Sequence, residues 1–312
     1  MAAYLVRRLW QMLPTLGGVI LLIFFLFKFF GGDPAEVLAG QIADQQQIEA
    51  IRSQLGLDKP WWAQLGIFLK QIATFDFGQS WMTHEPVSSI FVSRLPATLT
   101  VMVPIIVLEV LLAIPIAMFV AYVRGSLADR AIVAACVVAM SISFLVYIIF
   151  GQYVFGFLLG WFPVQGWSDQ FVTNLLKYAP LPVVLAVFVS LAPQTRLYRT
   201  FFLDEIHHDY VRTARAKGLG EAAVMLKHVL RNAMIPILTN VAVQLPSIFV
   251  GSFLIEVFFS IPGLGREVFL AVNRSDYPVI QAVTIYLAVL TMLINLGADL
   301  LYRLVDPRVV LR

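Results

Sequence analysis

The chain has 312 residues, of which 60% are hydrophobic and only 13% charged, with a formal net charge of +3. Soluble domains carry roughly a quarter charged residues, so this composition excludes a soluble globular protein. Its basic residues fall in short loops beside apolar segments, which argues against nucleic acid as a partner.

A helix needs about 20 apolar residues to cross the hydrocarbon core. Six segments qualify: 9–30, 97–123, 131–160, 179–195, 233–259 and 279–304. They are predicted as helices because none alternates with period two, and backbone groups in lipid must be paired within the segment. Residues 1–8 place Arg7 and Arg8 before the first span, as a signal peptide would. Its apolar run is longer than a signal's about 7–15 residues and no small-x-small site follows, so it is expected to stay as an anchor. The fourth segment carries Pro180, Pro182 and Pro193, and its edges are the least defined. Cys136, the one cysteine, sits in an apolar run and is expected to be inert packing.

The segment 31–96 is the first large loop. Residues 45–56 read as a short helix closed by Gly56. Trp61, Trp62, Phe68 and Trp81 suit amphipathic pieces at a membrane interface, or a landing surface for a partner. The segment 196–231 is the second loop. Leu203-Asp204-Glu205-Ile206 is predicted to begin a polar helix, its acids facing the N-terminal dipole. Arg212, Arg215 and Lys217 load the last turns, and Gly218 suits the left-handed closing position. Tyr210, Ala214 and Lys217 share one face. A second short helix, 221–230, leads to Arg231-Asn232. Two readings stay open from spacing: a compact knob that docks a partner, or an amphipathic loop resting on anionic lipid.

With the N-terminus inside, the inner face holds Arg7, Arg8, Arg124, Arg130, Arg196, Arg199, Arg212, Arg215, Lys217, Lys227, Arg231, Arg303, Arg308 and Arg312. The outer face holds Arg52, Lys59, Lys70, Arg94, Lys177, Arg266 and Arg274, spread over longer loops, and Lys28 snorkels near the outer end of the first span. The excess follows the positive-inside rule, so both termini, 305–312 included, and the 196–231 loop are expected in the cytoplasm, with 31–96 and 260–278 outside.

Catalytic patterns are absent from the sequence. No lysine precedes Ser or Thr, so there is no phosphate-binding loop, and no His-Glu-x-x-His occurs. His84, His207, His208 and His228 lack metal-ligand spacing, and His207-His208 reads as a solvated helix face. Gly263-Leu264-Gly265 lacks the third glycine of a dinucleotide fingerprint, and Asn273-Arg274-Ser275 is a sequon of low specificity. Within spans lie Glu109, Gln244, Glu256, Asn295 and Asp299. Intramembrane ionisable groups are functional suspects. Glu256 and Asp299 sit near span ends and read as interface anchors, whereas the deeper Glu109 is the candidate for the transport path, against helix–helix hydrogen bonding.

Taken together these residues resemble the inner-membrane permease subunits of ABC importers, in the dipeptide/oligopeptide/nickel family. The likeness runs nearly end to end: Tyr4-Leu5-Val6-Arg7-Arg8-Leu9, Pro14-Thr15, Gly32-Asp33-Pro34, Leu55-Gly56-Leu57-Asp58-Lys59-Pro60, Phe75-Asp76-Phe77-Gly78-Gln79-Ser80, Arg94-Leu95-Pro96-Ala97-Thr98-Leu99, Phe259-Ser260-Ile261-Pro262-Gly263-Leu264-Gly265 and Asp306-Pro307-Arg308. Its most specific part is 209–219 followed by His228-Val229-Leu230-Arg231-Asn232-Ala233. The family's EAA motif reads Glu-Ala-Ala, three residues, then Gly; here Arg212, Thr213, Ala214 and Gly218 stand in it and the Glu is missing. The Tyr-Val-x-x-Ala-x-x-x-Gly form is that of the peptide-importer branch.

The resemblance implies an all-α membrane protein with six transmembrane helices, the type I ABC importer permease fold and a permease domain over about 95–312. It implies a multi-pass protein of the bacterial cytoplasmic (inner) membrane. In the family a cytoplasmic coupling helix enters a groove of an ATPase subunit. The residues carried over for ATPase coupling are Asp209, Tyr210, Val211, Arg212, Ala214, Arg215, Ala216, Lys217, Gly218, Leu219, His228, Arg231 and Asn232. The implied partners are a second permease, two ABC ATPases that bind ATP and Mg, and an extracytoplasmic solute-binding protein. This chain then has no catalysis and no cofactor of its own. Di- and oligopeptides lead as cargo, with nickel, glutathione and opine-like solutes behind. Competing readings are a stand-alone carrier, which predicts inverted repeats and buried ion-coupling groups, and an intramembrane enzyme, which needs a catalytic constellation at one depth. Neither is visible in the sequence.

Overall fold

The computed structural model describes residues 2–31, 33–39 and 44–305. Gly32, Asp306-Pro307-Arg308 and Arg312, and the side chains of Asp299 and Arg303, lie outside the described residues.

Every extended element among the described residues is helical. In chain order they are α1 (Ala2–Phe30), α2 (Pro34–Ala39), α3 (Gln45–Gln54), α4 (Trp61–Thr74), α5 (Val87–Tyr122), α6 (Leu127–Ser141), α7 (Phe144–Gly151), α8 (Phe171–Thr173), α9 (Pro180–Ile206), α10 (Asp209–Ala216), α11 (Glu221–Ala223), α12 (Leu230–Val250), α13 (Phe253–Phe258), α14 (Leu264–Asn273) and α15 (Tyr277–Val305). Wider π-helical turns, Gln152–Leu158, Asn174–Tyr178 and Val224–Val229, continue α7, α8 and α11. Among the described residues five helices are long and apolar enough to cross a membrane, or six when α6 and the α7 segment are taken as one span bent by 90°.

The chain divides into two compact units. One comprises 1–97 and 262–296. Its core joins Ile20, Ile23 and Phe24 of α1 to Phe68 and Ile72 of α4, Val87 and Ile90 of α5, and Val283 and Ile285 of α15. In α1 the buried residues fall at helical spacing, while Leu9, Trp10, Leu13, Leu22, Phe25 and Phe29 are exposed, an apolar surface that suits lipid. The loop helix α3 ends as the sequence suggests, with Gly56 at φ 67 and Leu57 N–H donating to the Arg52 carbonyl at 3.0 Å. Arg52 forms an ion pair with Asp33. Trp61 and Trp62 are exposed, whereas Phe68 is buried. Buried Asp276 accepts from the Ser80 hydroxyl and from Trp81 N–H, clamping the loop to the start of α15.

The other unit comprises 98–261 and 297–310. Its helices depart from the expected segments in instructive ways. α9 does not stop near 195 but runs to Ile206, because Thr195, Tyr198 and Phe202 continue a buried stripe through a stretch that looks polar. Asp204 and Glu205 therefore close a helix instead of opening one, and Asp209 supplies the first-turn acid of α10. The expected third span is interrupted after Ser141. α12 ends at Gly251, φ 74, and α13 restarts with Ser252 as its cap. A Cβ on Gly251 would lie 2.3 Å from Glu256 Oε1. Glu256 is 1% exposed and accepts from the Thr98 hydroxyl at 2.9 Å, so it is a buried tie and not an interface anchor. Pro236 and Pro246 lie inside α12, and Gln244 donates to Asn240 at 2.8 Å.

Candidate functional site

The 204–231 region is a folded projection. His207 and His208 separate α9 from α10, and both are exposed. They are connectors more than a helix face: His207 Nε2 lies 2.8 Å from an Arg124 guanidinium nitrogen, and the His208 ring stacks on Tyr210 at 5.8 Å. Gly218 has φ 79, the left-handed region that costs a side chain about 1–2 kcal/mol. A Cβ there would meet nothing within 4 Å, so backbone conformation alone asks for glycine. The chain then turns through Leu219-Gly220 into α11, whose π-helical continuation passes directly into α12. The expected second short helix is therefore the N-terminal end of the same rod that carries the fifth apolar segment.

This projection is held by a core. Val211, Val224 and Val229 are completely buried and Ala214 nearly so. They pack with Tyr198 and Phe202 of α9, with Ala233 and Ile237 of α12, and with Ala113, Ala117 and Ala121 of α5. The alanines recur every fourth residue and let the neighbouring helices approach closely. Tyr210 donates to Glu205 across the α9–α10 break. Burial, and then the neighbouring Glu205 carboxylate, push the phenol up to about 12. Its proton and hydrogen bond are fully retained below about pH 10, the ordinary phenol value, and lost only as pH rises through about 12.

Arg215 makes a two-pronged contact across the Gly218 turn, Nε to Glu221 Oε1 at 2.8 Å and a terminal nitrogen to Oε2 at 3.2 Å. Both side chains are well exposed, and such a pair contributes about 0.2–1 kcal/mol. Arg215→Ala should speed amide hydrogen exchange over 209–220 by up to about fivefold, read by mass spectrometry, without altering helix content.

The residues carried over from the resemblance thus separate by environment. Val211 and Ala214 face inward. Tyr210, His228 and Asn232 are half-buried at the base, where Asn232 donates to the His228 carbonyl at 3.2 Å. Asp209, Arg212, Arg215, Ala216, Lys217, Gly218, Leu219 and Arg231 are exposed. Arg212 reaches Asp209 only at 3.7 Å, with both side chains largely in solvent. Leu219 and Leu226 add exposed apolar surface to this basic tip. Sequence reasoning gave Glu205 and Glu221 only as helix-start residues and missed Phe202 and Tyr198. Glu221 could have been found as the acid nearest Arg215 beyond the glycine; Tyr198 and Phe202 belong to a buried stripe visible only once α9 is extended, and partly buried Glu205 lies just beyond it.

Glu109 is elsewhere. It is 4% exposed in α5, beside Ser190 and Gln194 of α9, and its Oε1 has no hydrogen-bond partner among the described residues. The structure places it in a helix seam.

Apolar helices of spanning length with a rigidly held polar projection define a polytopic membrane protein. Residues 113–311 match the family described as binding-protein-dependent transport system inner membrane component, and residues 1–102 match the description of its N-terminal part. The chain belongs to this family: it is a multi-pass inner-membrane permease component of an ABC transport system. It is 32% identical to the dipeptide transport system permease protein DppB of Alkalihalophilus pseudofirmus and 36% identical to the glutathione transport system permease protein GsiC of Shigella flexneri, covering 99% of both chains in each case. A putative peptide transport system permease protein of Brucella abortus is 33% identical, again with 99% of both chains covered.

Proposed function

We propose that this chain forms half of the translocation path of an ATP-driven importer of di- and oligopeptides, with its N-terminus, its C-terminus and the 204–231 projection in the cytoplasm. The observation that carries this reading is the projection itself. Its tip is exposed, basic and partly apolar, while its base is fused to α12 and packed on α9 and α5. A ball that must transmit force needs such a rigid attachment. An amphipathic lipid-resting loop would instead turn its apolar stripe outward, and here Val211, Ala214 and Val224 turn inward.

In this reading the tip enters a groove on an ATPase subunit, Arg212 and Lys217 meet acidic groups there, and Leu219 and Leu226 supply apolar contact. Two ATPases bind ATP and Mg and close, a second permease completes the path, and an extracytoplasmic binding protein delivers cargo. The names of the peptide and glutathione relatives support a peptide-class cargo, glutathione being itself a tripeptide. Glu109 takes part in the path only if the α5–α9 seam opens during the cycle.

Purification of the tagged chain in gentle detergent from its native locus tests the assembly. The expected result is a second permease and one or two ATPases by mass spectrometry, with ATP-dependent peptide uptake after reconstitution. Recovery of the chain alone at native level, with uptake independent of ATP, would replace this reading with a stand-alone carrier.

A further inference from the structure

The unit formed by 1–97 and 262–296 encloses a cavity of about 540 Å³, remote in sequence from the projection. Its wall comes from the end of α1, the Asp33 turn, the close of α3, the face of α4, the 77–81 loop and the start of α15. Phe27 of α1 and Tyr277 of α15 meet ring to ring at 5.1 Å, so two helices of spanning length end here together. From Leu9 to Phe27 the first carries no charged residue, and from Tyr277 to Gly297 the second carries none. Lys28 and Asp276 are the first charges beyond these runs on this side. The cavity therefore lies at the level where both apolar runs stop, which is where hydrocarbon gives way to headgroups.

The cavity is preformed. Asp276 accepts from the Ser80 hydroxyl and from Trp81 N–H, which fixes the 77–81 wall, and the Trp81 ring meets Tyr277 edge-on at 5.6 Å. Gln64 donates its amide to the Leu57 and Lys59 carbonyls at 2.9 and 2.7 Å. That leaves its oxygen to accept from Lys28 Nζ at 3.0 Å. The aromatic lining, Phe24, Phe68, Phe77 and Tyr277, is buried. The side-chain amides of Gln71, Gln79 and Gln281 line the same space and have no hydrogen-bond partner among the described residues. Arg52 is paired with Asp33, whereas Lys28 has no carboxylate within ion-pair distance among the described residues. The lining thus sets two cations against one acid.

We propose that this cavity binds the phosphate headgroup of an anionic membrane phospholipid, with Lys28 and Arg52 as its cationic contacts and the free glutamine amides as neutral donors. The volume falls among pockets that take small ligands, about 300–1,000 Å³. The acyl chains stay outside, on apolar surface continuous with the cavity. Ile67 lines the cavity and is 42% exposed, and the exposed rings of Phe25 and Trp61 lie side by side at 6.3 Å on the same two helices, α1 and α4. A soluble anion would use the charge and the amides but leave that surface idle. In the orientation proposed above the site faces the outer leaflet. The site itself rests only on α1 and α15 being spans, and not on coupling to an ATPase.

The test uses the full chain with its partner subunits, delipidated in detergent and titrated with phosphatidylglycerol, bound lipid being counted by native mass spectrometry. Partner subunits bind lipid too, so the difference between the unmodified and Lys28→Gln complexes is the readout. Lys28→Gln should weaken retention of one phosphatidylglycerol about fivefold. Lys70→Gln, which alters an exposed α4 lysine outside the cavity, should leave it unchanged. Gln71→Trp fills the cavity with its charges intact and should release the same lipid, and it reads the site should Lys28→Gln fail to insert. Displacement of that lipid by millimolar inorganic phosphate would make the ligand a soluble anion and overturn the lipid assignment. Retention equal for phosphatidylglycerol and phosphatidylcholine, and unmoved by Lys28→Gln and Gln71→Trp, would leave only lipid coating the surface and overturn the site. The permease reading fails on a different observable, the absence of ATP-dependent uptake by the unmodified chain with its partners.

Discussion

Gly218→Val should lower ATP-dependent uptake by the reconstituted complex at least about tenfold while leaving membrane insertion intact. The backbone there has φ 79, and a Cβ at this position would have no atom within 4 Å, so the substitution acts through conformation and not through collision. A left-handed residue costs an ordinary side chain about 1–2 kcal/mol, and a β-branched one more. The turn can relieve that cost only by rotating α10 away from the Val211–Val224–Val229 core or by breaking the Arg215–Glu221 bridge. Gly218→Asn is the control, since asparagine tolerates the left-handed region, and it should stay within about threefold of the unmodified chain. Equal loss in both variants would mean that the position matters for contact and not for shape. Full activity of Gly218→Val would remove the projection from the coupling route.

Phe202→Ala and Leu219→Ala should separate holding residues from contacting ones. Phe202 is completely buried where α9 meets the base of the projection. Removing its ring should cost about 3–5 kcal/mol and lower the melting temperature in detergent by on the order of 10 °C. Leu219 is 41% exposed at the tip, and its loss should change stability by no more than about 0.5 kcal/mol. Its effect should appear in assembly instead: association with the ATPase subunit, measured by titration in detergent, should weaken about five- to tenfold if Leu219 fills the partner groove. A Leu219→Ala chain that binds and stimulates the ATPase normally would move the contact surface toward Leu226. A Phe202→Ala chain with unchanged melting would mean that the projection is not anchored through α9.

The membrane character and most apolar segments are legible in one chain because the bilayer imposes a simple demand: about 20 apolar residues in a row with their backbone paired internally. Local chemistry is equally legible where it is local. Gly56 and Gly218 both take positive φ at helix ends, as glycine after a polar helix suggests. Reading fails where a helix outlasts its apolar run. Along 196–206 the apolar run ends but the helix does not, since Tyr198 and Phe202 are spaced to bury one face against α5 and α12. A window average dilutes such a stripe, and so Asp204 and Glu205 look like a helix start when they lie at its end.

Other features have no signal in spacing at all. Glu256 looks like an anchor from its place near a span end, yet the fold turns it back under Gly251 to meet Thr98. The break at 141–143 lies in a stretch whose apolar content alone predicts an unbroken span.

By itself the sequence determined the medium, the helical class and the position of the polar projection along the chain, because composition, periodicity and short-range turn chemistry depend on neighbours along the chain; the family came from the resemblance of its motifs. The tertiary structure alone decided which residues of the projection hold it and which it presents. It also decided that the projection continues into α12, that Glu109 lies in a seam, and that a spanning segment opens its backbone at Ser141–Ile142–Ser143. Each of these depends on burial and on contacts between residues far apart in the chain, which are set by helix packing and leave no fixed spacing to read.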